Sequence, residues 1–418
     1  MPVQTSGRPP SLEPSRPSAR TSVGVPAQPG PGGKPIGTAY GRPAGGASDT
    51  TTKRRRKRRT DPLWARLTLI VGAVLMLTSG VAIVGSKAVI GQATSSIDQR
   101  NLLGEAGKSD AEGGASLKGP IDMLLLGVDA RASWDAGDVR ADSIIVLHIP
   151  ATHDQAYLIS IPRDTEAHIP AFEKSGWGGG TDKINAAFQH GVGNGAGWEG
   201  GAQLMARTIK DLTGISFDGA AIINFGGFKR VIDALGSVRI CVSQETTSAH
   251  MSFVDGKPMW NADAKKTGKD RVPVVHKKGC REMEGWAALD YSRQRYGLTG
   301  GDYARQQNQQ QLIKAMAKKA AQNGTLTNPL KLNELIKAAG EAFVLDTGGV
   351  PVADFVFTMR GVSGSDLTML RTNGGTYNGN GNNREALNEQ TLAMFQAVKQ
   401  DKLADFVVAN PEVLSTRK

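Results

Sequence analysis

The chain has 418 residues, 39% of them hydrophobic, and carries 50 lysines and arginines against 39 acidic residues for a formal net charge of +11. Nearly all of that excess falls in residues 1–66. The remainder has no general basic surface, which argues against a nucleic-acid-binding globule, and two cysteines without a CxxC spacing exclude a cysteine-built zinc centre.

Residues 1–60 read as a disordered cytoplasmic tail. Met1 to Thr52 is rich in Pro, Gly, Ser and Thr, with too few large apolar residues to offset chain entropy. Seven consecutive basic residues follow, Lys53 to Arg59, and then an uncharged run from Leu67 to Ser86. At about 1.5 Å per residue that run spans a hydrocarbon core of about 30 Å. A transmembrane helix is therefore expected over 64–88. It starts too far into the chain for a cleaved signal peptide. The basic flank predicts a cytoplasmic N-terminus and an extracellular C-terminal bulk, a single-pass protein of the cell membrane. The basic run suits that flank better than a nucleic-acid contact.

Residues 89–120 read as a stalk or linker, and 121–410 as one folded domain. Met123 to Val128, Ser143 to Ile149 and Ala156 to Ile161 are apolar runs of strand length. Near-continuous apolar strands are covered on both faces. Gly200 to Leu212 and Gly227 to Leu235 have helical periodicity. Ala220 to Phe225 and Val238 to Ser243 read as strands. Tyr303 to Gln322, Leu332 to Phe343 and Glu385 to Val398 are expected helices, Leu367 to Arg371 a strand, and Asn373 to Asn383 a surface loop. The expected fold class is α/β: a central, mainly mixed or antiparallel sheet with helices on both faces. Outside the membrane, Cys241 and Cys280 can form a disulfide, worth roughly 4 kcal/mol for a loop of this length. Two free thiols, with Cys241 buried in an apolar strand, are the other reading, and His250 and His276 look like loop residues.

Ten arginines and aspartates stand out, paired in five blocks between Asp129 and Arg305. Asp129 and Arg131 follow a strand, and Arg140 and Asp142 precede the next. If those strands are neighbours, Asp129 and Asp142 can share a divalent metal with phosphate oxygens. Arg163 sits after a strand in Ser160-Ile-Pro-Arg-Asp-Thr165, where Pro162 restricts the turn. Lys183 and Asn185 open a predicted helix with Asp182 as its cap. Arg293 and Arg295, on an extended segment, would share one face. Asp302, Arg305 and Gln309 share a helical face, with a solvated Gln-rich face as the bland alternative. Planar guanidiniums of this kind fork onto phosphate.

These blocks, in this order, resemble the LytR-CpsA-Psr family of cell-envelope proteins. The resemblance rests on Leu-Leu-Gly-x-Asp-x-Arg at 125 to 131, Arg-x-Asp at 140 to 142 and Ser-Ile-Pro-Arg-Asp-Thr at 160 to 165. It continues with Asp-Lys-Ile-Asn-Ala-Ala-Phe at 182 to 188, Asn224 to Gly236, Arg293-x-Arg295 and Asp302-x-x-Arg305. The resemblance implies transfer of a glycopolymer from a polyprenyl-pyrophosphate carrier to peptidoglycan. It implies Mg2+ (or Mn2+) on Asp129 and Asp142. It further implies a pyrophosphate cradled by Arg131, Arg140, Arg163, Arg293, Arg295, Arg305 and Gln309, supported by Lys183 and Asn185. Asp302 would orient Arg305 or assist proton transfer, and an apolar groove would take the lipid. Phe225, Phe228, Val231, Ile232 and Leu235 are the groove candidates, with plain core packing as their other reading. Asn308 stands where many members carry Arg, Ala141 where Ser is common, and Trp177 to Thr181 adds a Gly-rich stretch. A lipid pyrophosphatase, and a non-catalytic wall-lipid anchor or regulator, are the alternative readings.

Overall fold

The apolar runs alternate between two layers. Leu124, Leu126 and Val128 pack into one large core with Phe188, Met205 and Phe395, while Ile121, Met123 and Leu125 face a second core with Ile313 and Leu345. Strands buried on both faces need helices above and below. The computed structural model describes residues 98–109, 117–128, 139–325, 328–340, 343–351, 354, 358 and 366–415. The expected tail, the span over 64–88, and Asp129 and Arg131 lie outside the described residues. Among the described residues no helix is long and apolar enough to cross a membrane.

The strands in chain order are β1 (Asp98–Gln99), β2 (Ile121–Val128), β3 (Ala141–Ile149), β4 (Ala156–Ser160), β5 (Glu166–Ile169), β6 (Gly180–Lys183) and β7 (Gly219–Asn224). Then come β8 (Val238–Val242), β9 (Thr246–Val254), β10 (Lys257–Trp260), β11 (Val272–His276), β12 (Gly279–Met283), β13 (Phe343–Asp346) and β14 (Leu367–Leu370). The helices are α1 (Ala186–Val192), α2 (Gly197–Thr213), α3 (Phe225–Leu235), α4 (Asn261–Lys266), α5 (Gly285–Arg293), α6 (Gly301–Gln322), α7 (Pro329–Gly340), α8 (Glu389–Lys399) and α9 (Leu403–Ala409).

The central sheet has the order β1-β13-β7-β2-β3-β4-β14. It is mixed: β2 runs parallel to β7 and antiparallel to β3, and β4 runs antiparallel to β3 and parallel to β14. The C-terminal ends of β2, β4, β7 and β14 therefore share one edge with the start of β3. α1, α2, α8 and α9 cover one face, and α6 covers the other. Around α3 and α5 lie a two-stranded ribbon, β8–β12, and a three-stranded sheet, β10–β9–β11. Cys241 and Cys280 face each other across the ribbon and are joined by a disulfide.

Several boundaries differ from expectation. The region read as linker is partly integral: Asp98 and Gln99 pair with β13, and Leu102, Leu103 and Ala106 are at most 3% exposed. These three are few, but they are buried. At the other end Val413 is buried and Ser415 N donates to the Met369 carbonyl at 2.8 Å, so the chain stays attached past 410. The helix expected to reach Phe343 stops at Gly340, and Phe343 opens β13. The helix expected from Glu385 begins at Glu389, where the Asn388 side chain accepts from Thr391 N at 2.9 Å.

Candidate active site

The shared sheet edge gathers the charged blocks. Asp142 is the second residue of β3. After β4 the chain turns at Pro162, whose carbonyl accepts from Thr165 N at 3.1 Å, and this projects Arg163 over Asp142. Arg163 Nη1 donates to Asp142 Oδ1 at 2.8 Å. Its Nε lies 3.6 Å from Asp302 Oδ1 and 3.8 Å from Asp164 Oδ2. Asp302, in the first turn of α6, pairs with Arg305 Nη2 at 2.7 Å, and that nitrogen also donates to the Asp142 carbonyl at 3.0 Å. Two guanidiniums and two aspartates thus form one network across β3, the β4 turn and α6.

Electrostatics separates the two arginines. Burial pulls the Arg163 pKa down, but Asp142, Asp302 and Asp164 outweigh it and the net shift is upward. Arg305 is more deeply buried. Desolvation lowers its pKa despite Asp302 and Asp142, and the charges of Arg163 and Arg295 push the same way. Arg305 Nε and Asn185 Oδ1 are buried with no hydrogen-bond partner among the described residues. The unused donor on a buried guanidinium suits an anionic ligand.

The remaining expected residues divide. Lys183 Nζ pairs with Asp164 at 2.8 Å, and Asn185 N donates to the Arg163 carbonyl at 3.2 Å, so both join the rim. Asp182, expected as a cap, lies in β6 and accepts from Lys183 N, while Asn185 occupies the position before α1. Arg140 turns away, donating to Gln189 at 2.7 Å. Arg293 and Arg295 are not on one extended face. Arg293 ends helix α5 and lies over the Trp260 ring at 5.1 Å, whereas Arg295 lies over Tyr296 at 4.5 Å. Gln294 between them is fully buried, donating to the Asp290 carbonyl at 2.9 Å and accepting from Ala249 N at 2.9 Å. That anchor splits the pair.

Behind the network, between the sheet and helices α3, α5 and α6, is an apolar cavity of about 150 Å³. Leu125, Ile145, Ile223, Phe228, Leu312 and Met316 line it, with Gly127, Ser143 and Gln309 also in its wall. Gly127 is required there, because a Cβ would meet Ser143 Cβ at 2.8 Å. Of the expected groove residues only Phe228 lines this cavity. Val231 and Leu235 pack with Ala320, Ile232 packs with Val238, and the Phe225 side chain lies outside the described residues. A larger cavity of about 430 Å³, against Gln99, Lys108 and Asp346, lies at the opposite sheet edge and contains none of the expected residues.

The Gln-rich segment of α6 is not a solvated face. Gln310 is 1% exposed and its amide donates to the Leu158 and Leu370 carbonyls and to Ser160 Oγ. His276 is not a loop residue either. It ends β11, is buried, and bonds Asp290 at 2.7 Å, while Ser248 Oγ donates to the other Asp290 oxygen at 2.9 Å. The aspartate is central in this Ser–Asp–His set, so no imidazole reaches the serine and it is not a nucleophilic triad.

A sequence model of the LytR_cpsA_psr family matches residues 87–402. The chain belongs to this family. It is 33% identical over 239 residues to the probable cell wall biosynthesis protein LcpB of Corynebacterium glutamicum, an alignment covering 54% of this chain and 48% of LcpB. Identity to LcpA of the same organism, a cell wall biosynthesis protein, is 26% over 377 residues, covering 82% of this chain and 66% of LcpA. Identity to the polyisoprenyl-teichoic acid–peptidoglycan teichoic acid transferase TagU of Halalkalibacterium halodurans is 30% over 240 residues, covering 57% and 65%. The chain spans about half to two thirds of the length of these curated relatives. Among solved structures, protein gbs0355 of Streptococcus agalactiae superposes with a TM-score of 0.52 at 21% identity, covering 71% of this chain and 91% of that one. TagV of B. subtilis gives 0.50 at 21%, covering 69% and 98%. At such identity the likeness concerns the fold.

In this LytR_cpsA_psr domain, sequence reading missed a supporting cluster. Tyr303, beside Asp302, donates to Glu385 Oε2 at 2.5 Å, and Asn373 Nδ2 donates to the same oxygen at 3.3 Å. Arg384 reaches Glu166 at 3.4 Å and Asp182 at 3.3 Å. No local pattern announces these contacts, since the partners lie far apart in sequence. Asp164 was legible, being part of the Pro-Arg-Asp-Thr block. Burial raises the pKa of Glu385 against the hydrogen bonds from Tyr303 and Asn373. The folded state therefore holds this proton more tightly than the unfolded chain. The resulting stability is fully present in acid, below the ordinary glutamate range, and is lost as pH rises through the folded value. Glu385→Gln is expected to match the parent in acid and to be more stable by about 1 kcal/mol at pH 8. Melting curves across pH check this; a variant equally destabilised at every pH contradicts it.

Proposed function

We propose that this protein transfers a glycopolymer from a polyprenyl-pyrophosphate carrier to peptidoglycan. One observation carries the reading: the Arg163–Asp142–Asp302–Arg305 network adjoins an apolar cavity. Ser143 follows Asp142, and Gln309 lies one helical turn beyond Arg305. An amphiphile with an anionic head and a hydrocarbon tail fits such a pairing. The names of LcpA, LcpB and TagU support it.

In the reaction an acceptor sugar hydroxyl attacks the phosphorus nearer the glycan, forming the new O–P bond. The bond to the second phosphate breaks and polyprenyl phosphate leaves, taking up the proton that the hydroxyl gives up. Positioning and charge neutralisation dominate such transfers. Arg163 and Arg305 grip the phosphate oxygens, and Asp302, held by both, orients them. Lys183 and Asn185 support the head group from the rim, and Arg295, whose charge acts on Arg305, adds to them. Asp142 uses one oxygen for Arg163, and its other makes no hydrogen bond among the described residues, which fits a hard cation. With Asp129 it would hold Mg2+ (or Mn2+), which supplies a Lewis acid for the pyrophosphate oxygens.

The membrane reading joins this proposal: a span over 64–88, a cytoplasmic N-terminus and an extracellular domain. The uncharged run and its basic flank support it. So does the entry of the chain into the fold, because Asp98 pairs with Val344, next to Phe343 in the cavity wall. The test uses full-length protein in lipid nanodiscs with labelled polyprenyl-pyrophosphate glycan, peptidoglycan and Mg2+. Label joined to the wall polymer is expected. Release of free phosphorylated glycan alone would establish a pyrophosphatase, and lipid binding without turnover an anchor.

A further inference from the structure

An uncharged surface borders the charged site. Residues 376–383 read Thr-Tyr-Asn-Gly-Asn-Gly-Asn-Asn, and all are exposed. The segment folds back on itself as a hairpin. Gly379 bridges Glu385, Ala386 N donates to the Asn378 carbonyl at 3.0 Å, and Asn380 N donates to the Arg384 carbonyl at 3.0 Å. Glu385 also bridges Thr165, and Glu166 N donates to its carbonyl at 2.8 Å. β5 pairs in turn with β6, placing Glu166 opposite Lys183. The hairpin is therefore the outer rib of a small sheet whose inner rib carries Lys183. Three strand spacings, roughly 14 Å, separate them.

Tyr377 on this hairpin is 54% exposed yet held in place. Its hydroxyl donates to the Arg384 carbonyl at 2.9 Å. Its ring lies against Gly379, where a Cβ would come within 2.5 Å of the ring edge. An aromatic ring fixed this way adds little to the core, and Asn378, Asn380, Asn382 and Asn383 share its exposed hairpin. A rigid aromatic face flanked by amides receives a pyranose: ring C–H groups lie on the π face, and hydroxyls and acetamides bond the amides.

We infer that Tyr377 and the neighbouring asparagines form a subsite for the acceptor glycan strand, a chain of uncharged N-acetylated pyranoses. The identity of that strand rests on the transfer reading above. The lack of charge at 376–383 gives a polyanionic donor no counter-charge. Position agrees, because Ala167 and Ile169 of β5 pack into the core under α2, whereas the apolar cavity lies beneath α6. Donor lipid and acceptor strand then reach the clamp from different sides.

The test compares full-length protein with Tyr377→Ala and Tyr377→Phe, using chitotetraose as a neutral N-acetylated probe. The parent binds it, Tyr377→Ala weakens binding about tenfold, and Tyr377→Phe stays within about twofold because the ring remains. In transfer assays Tyr377→Ala raises KM for peptidoglycan by a similar factor and leaves kcat and donor KM unchanged. Unaltered melting temperatures show the variants folded. No chitotetraose binding by the parent, equal affinity in Tyr377→Ala, or a shift in donor KM instead overturns the subsite. Tyr377-dependent probe binding in a protein without transfer activity keeps the subsite and removes the transferase; transfer with an unchanged acceptor KM does the reverse.

Discussion

Arg163→Ala is expected to lower glycopolymer transfer by about a hundred- to a thousandfold, the range seen when one preorganised donor to a developing charge is removed. Arg163 touches Asp142, so its loss leaves that carboxylate without its guanidinium, while Asp302 keeps Arg305 and Asp164 keeps Lys183. The uncompensated charge of Asp142 adds to the missing donor. Arg163→Lys recovers only a small part, because a single ammonium cannot span Asp142 with one nitrogen and face Asp302 with another. The fold tolerates the change, since the side chain belongs to neither hydrophobic core of the sheet. Initial rates with labelled lipid-linked glycan, beside melting curves, check this. Turnover of Arg163→Ala near the parent rate contradicts the clamp.

The second large effect is on stability and lies outside the clamp. Asp290 is fully buried and accepts from Ser248, from Gln294 and from His276. Asp290→Ala leaves these groups without their acceptor, at a cost of about 3–5 kcal/mol. In a domain of this size that lowers Tm by on the order of 10 °C. Asp290→Asn keeps the shape and part of the bonding and is expected to lose less than half as much. The network also sets where α5 ends, so transfer in Asp290→Ala falls below the level its folded fraction allows. Calorimetry and active-site titration separate the two effects. A Tm within a degree or two of the parent contradicts this account of the network.

Much of the sheet was readable because its strands are long apolar runs punctuated by Gly, Pro and Asp, and burial on both faces leaves such runs few alternatives. The clamp was readable for a similar reason. Arg163, Asp142 and Asp302 sit within a few residues of strand or helix ends, which the chain pattern marks. What failed depended on partners distant in sequence. Arg293-x-Arg295 resembles an extended pair until Gln294 is seen buried against β9. The glutamines of α6 look solvent-facing because nothing local shows that Leu158, Ser160 and Leu370 bring acceptors to Gln310. Leu102 and Ala106 are too few to signal a core segment, although the core includes them. The groove was sought on α3, where apolar periodicity is strong, but that face packs on α6 and α7 and the open space lies nearer the sheet.

The amide of Gln310 spans two parallel strands that are not consecutive in the chain, β4 and β14, and belongs to the helix that carries Asp302 and Arg305. Such a rivet forbids that helix from rolling or sliding as a catalytic gate. Any opening of the site must then come from peripheral segments, while the Asp302–Arg305 pair keeps its geometry. Changes in the outer hairpin at 376–383 would leave that pair where it is.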